Sequence, residues 1–191
     1  MGQQTINFLK TKNRDFNNVL DSYINITDNN FKVTAGAGFT GGAALFGQGA
    51  IKFGSIFYTA IAVDLTGIRS TGANDIIGIN GTALVCHLGQ ITAERNGTIV
   101  GGKVTCFEAP AGGDPDIDLY YATEATGVED GAIGDLTETA LTNGGDHTLG
   151  GIDYFSAGGA PAANSYLYLV AGDATDADYT AGRLIIEMWG V

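Results

Sequence analysis

Asp116-Ile117-Asp118-Leu119-Tyr120-Tyr121-Ala122 decides how the chain is read. Ile117, Leu119 and Tyr121 alternate with Asp116, Asp118 and Tyr120, so successive side chains fall on opposite faces of an extended strand. The same period returns near the C-terminus, where Leu184, Ile186 and Met188 oppose Arg183, Ile185, Glu187 and Trp189. Working outward, runs rich in Val, Ile, Thr and aromatics predict further strands over Phe31–Ala35, Lys52–Asp64, Thr82–Thr92, Thr98–Glu108, Gly151–Phe155 and Ser165–Ala171. Glycine-rich turns separate them, and 30 of the 191 residues are glycine. The expected architecture is all-β, a jelly roll or related two-sheet β-sandwich with an N-terminal arm.

Residues 1–35 differ from the remainder. They hold one glycine and seven asparagines, and Phe16, Val19, Leu20, Tyr23 and Ile24 recur at helical spacing behind a possible cap at Asn13. A helix of about three turns needs something to pack against. The expected division is therefore an arm over 1–35 and a β body over 36–191. Phe8, Phe16, Leu20 and Tyr23 are the candidate interface residues of that arm.

Charge excludes one class of partner. Nine basic against 21 acidic residues give −12, which argues against nucleic acid. Residues 1–103 carry eight basic and six acidic groups, whereas 104–191 carry Arg183 and fifteen acids. No apolar run reaches the 18 residues of a membrane span. The N-terminus lacks the basic-then-apolar layout of a signal peptide, so synthesis in a cytoplasm without export is expected. Cys86 and Cys106 are too few for a disulfide scaffold and read as buried thiols on neighbouring strands.

No catalytic signature emerges, and no cofactor is expected. Gly36-x-Gly38-x-x-Gly41 matches a dinucleotide fingerprint on paper, but the helix it requires is missing, because Gly42, Gly47, Gly49 and Gly54 follow. Neither a P-loop nor a G-x-S-x-G elbow is present. Cys86 and His87 are adjacent on an expected strand and should point apart, and His147 lies in a turn-like Gly144-Gly145-Asp146-His147-Thr148. Asp114, Asp116 and Asp118 have the D-x-D-x-D spacing of calcium loops, but Leu119 and Ala125 stand where an EF-hand needs Gly and Glu. Asp173, Asp176 and Asp178 form a second acidic loop. Solvated turn aspartates are the default reading of both. The aromatic groups Phe57-Tyr58, Tyr120-Tyr121, Tyr154-Phe155 and Tyr166/Tyr168 read as core or subunit interface, with a carbohydrate face as the alternative.

Two stretches carry a resemblance. One runs from Ile77-Gly78-Ile79-Asn80-Gly81 through Gly89-Gln90-Ile91-Thr92, Asn96-Gly97-Thr98-Ile99 and Val104-Thr105-Cys106-Phe107-Glu108-Ala109-Pro110 to Gly113-Asp114-Pro115-Asp116-Ile117-Asp118-Leu119. The other comprises Tyr166-Leu167-Tyr168-Leu169 and Ala181-Gly182-Arg183-Leu184-Ile185-Ile186-Glu187-Met188-Trp189-Gly190. Over roughly 75–191 the chain resembles virion structural proteins of tailed bacteriophages, especially those of marine bacteria, and most of all capsid decoration or cement proteins. The resemblance implies a non-enzymatic β protein on the outer capsid surface. It further implies a homotrimer that clamps neighbouring major capsid subunits, with neither nucleic acid nor membrane as partner. A tail- or head-fibre module binding host surface glycans is the alternative.

Overall fold

The computed structural model describes residues 45–81, 84–156 and 159–191. The expected arm, its interface residues Phe8, Phe16, Leu20 and Tyr23, the strand over Phe31–Ala35 and the Gly36 loop lie outside the described residues.

The described chain is almost entirely β. Its strands are β1 (Leu45–Phe53), β2 (Ile56–Asp64), β3 (Arg69–Ser70), β4 (Gly89–Gln90), β5 (Ile99–Ala111), β6 (Ile117–Ala122), β7 (Glu138–Ala140), β8 (Ile152–Tyr154), β9 (Tyr166–Ala171), β10 (Ala177–Asp178) and β11 (Ala181–Gly190). A five-stranded sheet has the order β1-β2-β11-β5-β8, and a four-stranded sheet the order β4-β9-β6-β7. β3 and β10 form a two-stranded ribbon. Every pairing between these strands is antiparallel.

Alternation explains how the two larger sheets pack. Ile61 and Val63 of β2, Leu184, Ile186 and Met188 of β11, and Val104 and Cys106 of β5 face one buried cluster. Ile117 and Leu119 of β6 and Leu167 and Leu169 of β9 meet them from the other sheet. Each such side chain removed from water contributes about 1.5–3 kcal/mol, so this shared core is the main force joining the sheets.

Two expected strands are corrected. Lys52–Asp64 is not one strand but the end of β1, a turn and β2, folded back where Phe53 pairs with Ile56. Gly54 takes φ +61°, the positive value that a two-residue hairpin turn requires and that glycine adopts without a Cβ penalty. Of the expected strand Thr82–Thr92, the described part from 84 onward contracts to Gly89–Gln90 with an isolated bridge at Val85. Its hydrogen bonds go to different partners, Cys86 N–H to Gly127 O and Leu88 N–H to Leu167 O, so one continuous ladder never forms. His87 is nevertheless buried, packed 4.9 Å from the Tyr166 ring.

Candidate functional site

The acidic motif is a structural knot rather than a solvated turn. Asp114 has no exposed surface. Its Oδ1 accepts from the Asp116 amide at 3.0 Å and its Oδ2 from the Asp173 amide at 2.7 Å. Its own amide donates to Ser70 Oγ at 2.9 Å, and its carbonyl accepts the Tyr179 hydroxyl at 2.8 Å. The carboxylate thus fastens the 172–173 turn to the approach of β6, and the Asp114 amide and carbonyl tie in Ser70 of β3 and Tyr179. Burial raises the Asp114 carboxyl above its ordinary range, partly offset by those two amides.

Asp116 and Asp118 lie two apart on or beside β6. Asp118 is 7% exposed, and the Oδ1 atoms of both are buried without a hydrogen-bond partner. Burial and the neighbouring Asp116 push the Asp118 carboxyl up to about 6, against the Gly144 amide that lowers it. Burial also raises Asp116, with Asp114, Asp173 and Asp146 adding to the effect and His147 opposing it. His147 is buried too, held by its amide to Pro115 O and by Nε2 to Ile117 O. Asp153 of β8 reaches the same place from the other sheet, 3.2 Å from His147 Nδ1. Among the described residues, no three His, Cys, Asp or Glu side chains converge to hold a metal ion. The second acidic loop is engaged as well: Asp176 and Asp178 bind Arg69 at 2.6 and 3.0 Å.

The thiols do not form a reactive centre. Cys86 and Cys106 are free and buried. Burial pushes Cys86 up to about 11 and raises Cys106, so neither is a thiolate at neutral pH. Cys106 lies on β5 as expected, whereas Cys86 lies in the irregular stretch before β4. A surface groove of about 600 Å³ is lined by Arg69, Asn80, Glu129, Asp130 and Asp176 among others, and none of its lining residues is aromatic.

The outer face of the five-stranded sheet is the other notable surface. Cross-strand register places Ile51, Tyr58, Trp189 and Gly101 in one row, Ala62, Ile185, Thr105 and Ile152 in another. Between them runs Ala60, Glu187, Lys103 and Tyr154. A solvated sheet face ordinarily carries polar side chains at these positions. Here the polar groups pair with one another: Lys103 Nζ meets Glu187 Oε2 at 2.8 Å, and the Tyr58 hydroxyl donates to Glu187 Oε1 at 2.6 Å. Burial and Glu187 push the Tyr58 phenol up to about 12. At the open β8 edge, Phe107, Leu149, Ile152 and Tyr154 are exposed, Leu149 by 74% and Tyr154 by 67%. Phe107 stands at a register shift between β5 and β11, the extra residue of a bulge.

The sequence therefore located the Asp114–Asp118 motif but not its partners. His147 and Asp153 lie 29 and more residues downstream, and nothing local to them signals burial. The apolar outer face did have a signal, since Ile185 and Trp189 share the side of β11 opposite Leu184, Ile186 and Met188.

No family model, no curated protein and no solved structure matches this chain.

Proposed function

We propose that the chain is a non-enzymatic structural protein of a tailed-bacteriophage virion. In this reading it decorates the outer capsid surface and stabilises it by clamping neighbouring major capsid subunits. The observation that carries the proposal is the broad outer face of the five-stranded sheet, with its aligned Ala60, Ala62, Ile185 and Trp189 and the exposed strip of Phe107, Ile152 and Tyr154. A half-buried sheet face that mixes apolar side chains with charges paired among themselves, Glu187 with Lys103 and Arg183 with Asp64 and Glu108, is suited to protein contact rather than to a small substrate. The resemblance of roughly residues 75–191 to virion proteins supports this choice of partner. The strong acidity of residues 104–191 suits a surface that must not adhere to packaged DNA.

The mechanism is burial repeated by symmetry. A modest contact made by each protomer of a homotrimer gains avidity, without any single tight site. Residues 3–24, which include Phe8, Phe16, Leu20 and Tyr23, supply a second attachment in this account, as an arm that docks on a neighbouring subunit. The test uses heads assembled from the major capsid protein of the source phage. The full chain should bind them and raise the temperature at which they disrupt, and deletion of residues 3–24 should abolish attachment while the β body stays folded. Unchanged occupancy after the deletion would remove the arm from the mechanism, and failure of the full chain to bind would overturn the reading.

A further inference from the structure

The connection between β7 and β8 crosses from the four-stranded sheet to the five-stranded one, and His147 lies within it. The ring is almost wholly enclosed, its side chain 1% exposed. Nε2 stands 2.8 Å from Ile117 O, and a carbonyl oxygen can only accept, so Nε2 carries a proton. Nδ1 stands 3.2 Å from Asp153 Oδ2, off the line of a hydrogen bond. An ionised carboxylate also only accepts. A neutral ring would therefore set its Nδ1 lone pair beside a partly buried carboxylate, an arrangement that costs free energy.

The surrounding titratable groups are mostly acidic. Asp116 and Asp118 come from β6 and its approach, with a buried, unpartnered Oδ1 each. Asp114 and Asp173 act on Asp116 from the adjoining turns, and Asp146 precedes the histidine in its own loop. Cys106 faces Asp153 from β5 as a protonated thiol. His147 is the basic group acting on Asp116.

We infer that His147 and Asp153 form a proton-held latch between the two sheets: a second proton, on Nδ1, faces the Asp153 carboxylate, and its loss as pH rises frees the 142–151 connection. This goes beyond the structural role proposed above and does not depend on it. The consequence is local. Asp153 lies between Ile152 and Tyr154, and Leu149 lies in the connection itself, so the latch sets the position of the exposed apolar strip.

The test uses the full chain labelled with nitrogen-15. The chain has two histidines, so the ring nitrogens are readily assigned. Spectra and amide hydrogen exchange are followed through a pH series from acid to alkaline. The expected result is a doubly protonated His147 ring at the acid end that becomes an Nε2–H ring toward the alkaline end. Over the same interval the amides of Gly150 and Gly151, which donate to Cys106 O and Thr148 O, should lose protection after correction for intrinsic rates. Asp153→Asn should abolish that dependence, because its amide can donate to a neutral Nδ1. Three results would overturn the latch: a neutral His147 ring throughout, protection that ignores its titration, or ring signals that shift on adding a chelator, which would assign the place to a metal. The wild-type titration decides the matter even if Asp153→Asn fails to fold.

Discussion

The Tyr58 hydroxyl donates to Glu187 Oε1 at 2.6 Å across the β2–β11 pair, on the outer face of the five-stranded sheet. The other Glu187 oxygen holds Lys103 at 2.8 Å. Three polar groups that would otherwise break an apolar face thereby neutralise one another. Burial pushes the Glu187 carboxyl up, but the hydrogen bonds from Lys103 and Tyr58 outweigh it and hold the carboxyl below its ordinary value.

Glu187→Gln should therefore act in two measurable ways. The Tyr58 phenol, now pushed up to about 12, should titrate closer to its ordinary value of 10.0 in an ultraviolet titration. Stability should fall by about 1 kcal/mol at neutral pH, the scale of a partly exposed ion pair. The sign follows from the lowered carboxyl: its contribution is full above the ordinary value of 4.5 and is lost as pH falls through the folded value. Denaturation profiles of the two proteins should accordingly converge in acid. A difference that persists at low pH contradicts this origin.

Asp118 predicts the opposite pH dependence. Its folded value of about 6 exceeds the ordinary 3.8, so the folded state binds the proton more tightly. That contribution is fully present below the ordinary value and is lost as pH rises through about 6. Converted at 1.4 kcal/mol per pH unit, the difference is roughly 3 kcal/mol. Asp118→Asn keeps an acceptor for the Gly144 amide and removes the buried charge. Its melting temperature should exceed that of the wild type at pH 8 and approach it at pH 5. Equal melting temperatures at both pH values would show that the charge is relieved in some other way.

Asp114→Ala should be the most damaging of the acidic substitutions. It removes the acceptor of the part-buried Asp116 and Asp173 amides. Two lost hydrogen bonds cost about 1–3 kcal/mol together. Asp114→Asn, which retains an acceptor oxygen, should cost less. Denaturant midpoints give the comparison, and a cost for alanine no larger than that for asparagine would mean that these bonds do not hold the knot.

The cysteines give a chemical prediction. Cys86 is buried and pushed up to about 11 by that burial, so native protein should react slowly with a disulfide reagent at pH 8. Both thiols should react fully in urea. Rapid modification of native protein would show that the stretch before β4 opens readily.

Local patterning made the sheet legible and left its neighbours hidden. The alternation over Asp116–Ala122 and Arg183–Trp189 appears in the structure as β6 and β11, because a period of two leaves only one way to bury the apolar side. The break inside Lys52–Asp64 was signalled only by Gly54, a single residue in a run of β-formers. Asp118 shares the strand side of Asp116 and reads as a solvent-facing acid, yet the 142–147 connection covers it. That cover depends on contacts between residues far apart in the chain, Asp118 with Gly144 and Ile117 with His147, which no local window contains. The groove beside Arg69 was equally illegible, since Asn80, Glu129 and Asp176 come from three separated loops.

The most direct measurement of the central claim is a footprint of the chain mixed with tailed-bacteriophage heads, the proposed partner, by hydroxyl-radical labelling of free and attached protein. The account predicts saturable attachment, with protection of Phe107, Tyr154 and Trp189 on the outer sheet face while the groove around Arg69 and Asn80 stays accessible. Absence of attachment, or attachment that protects the groove and leaves Tyr154 and Trp189 as reactive as in the free protein, would contradict it.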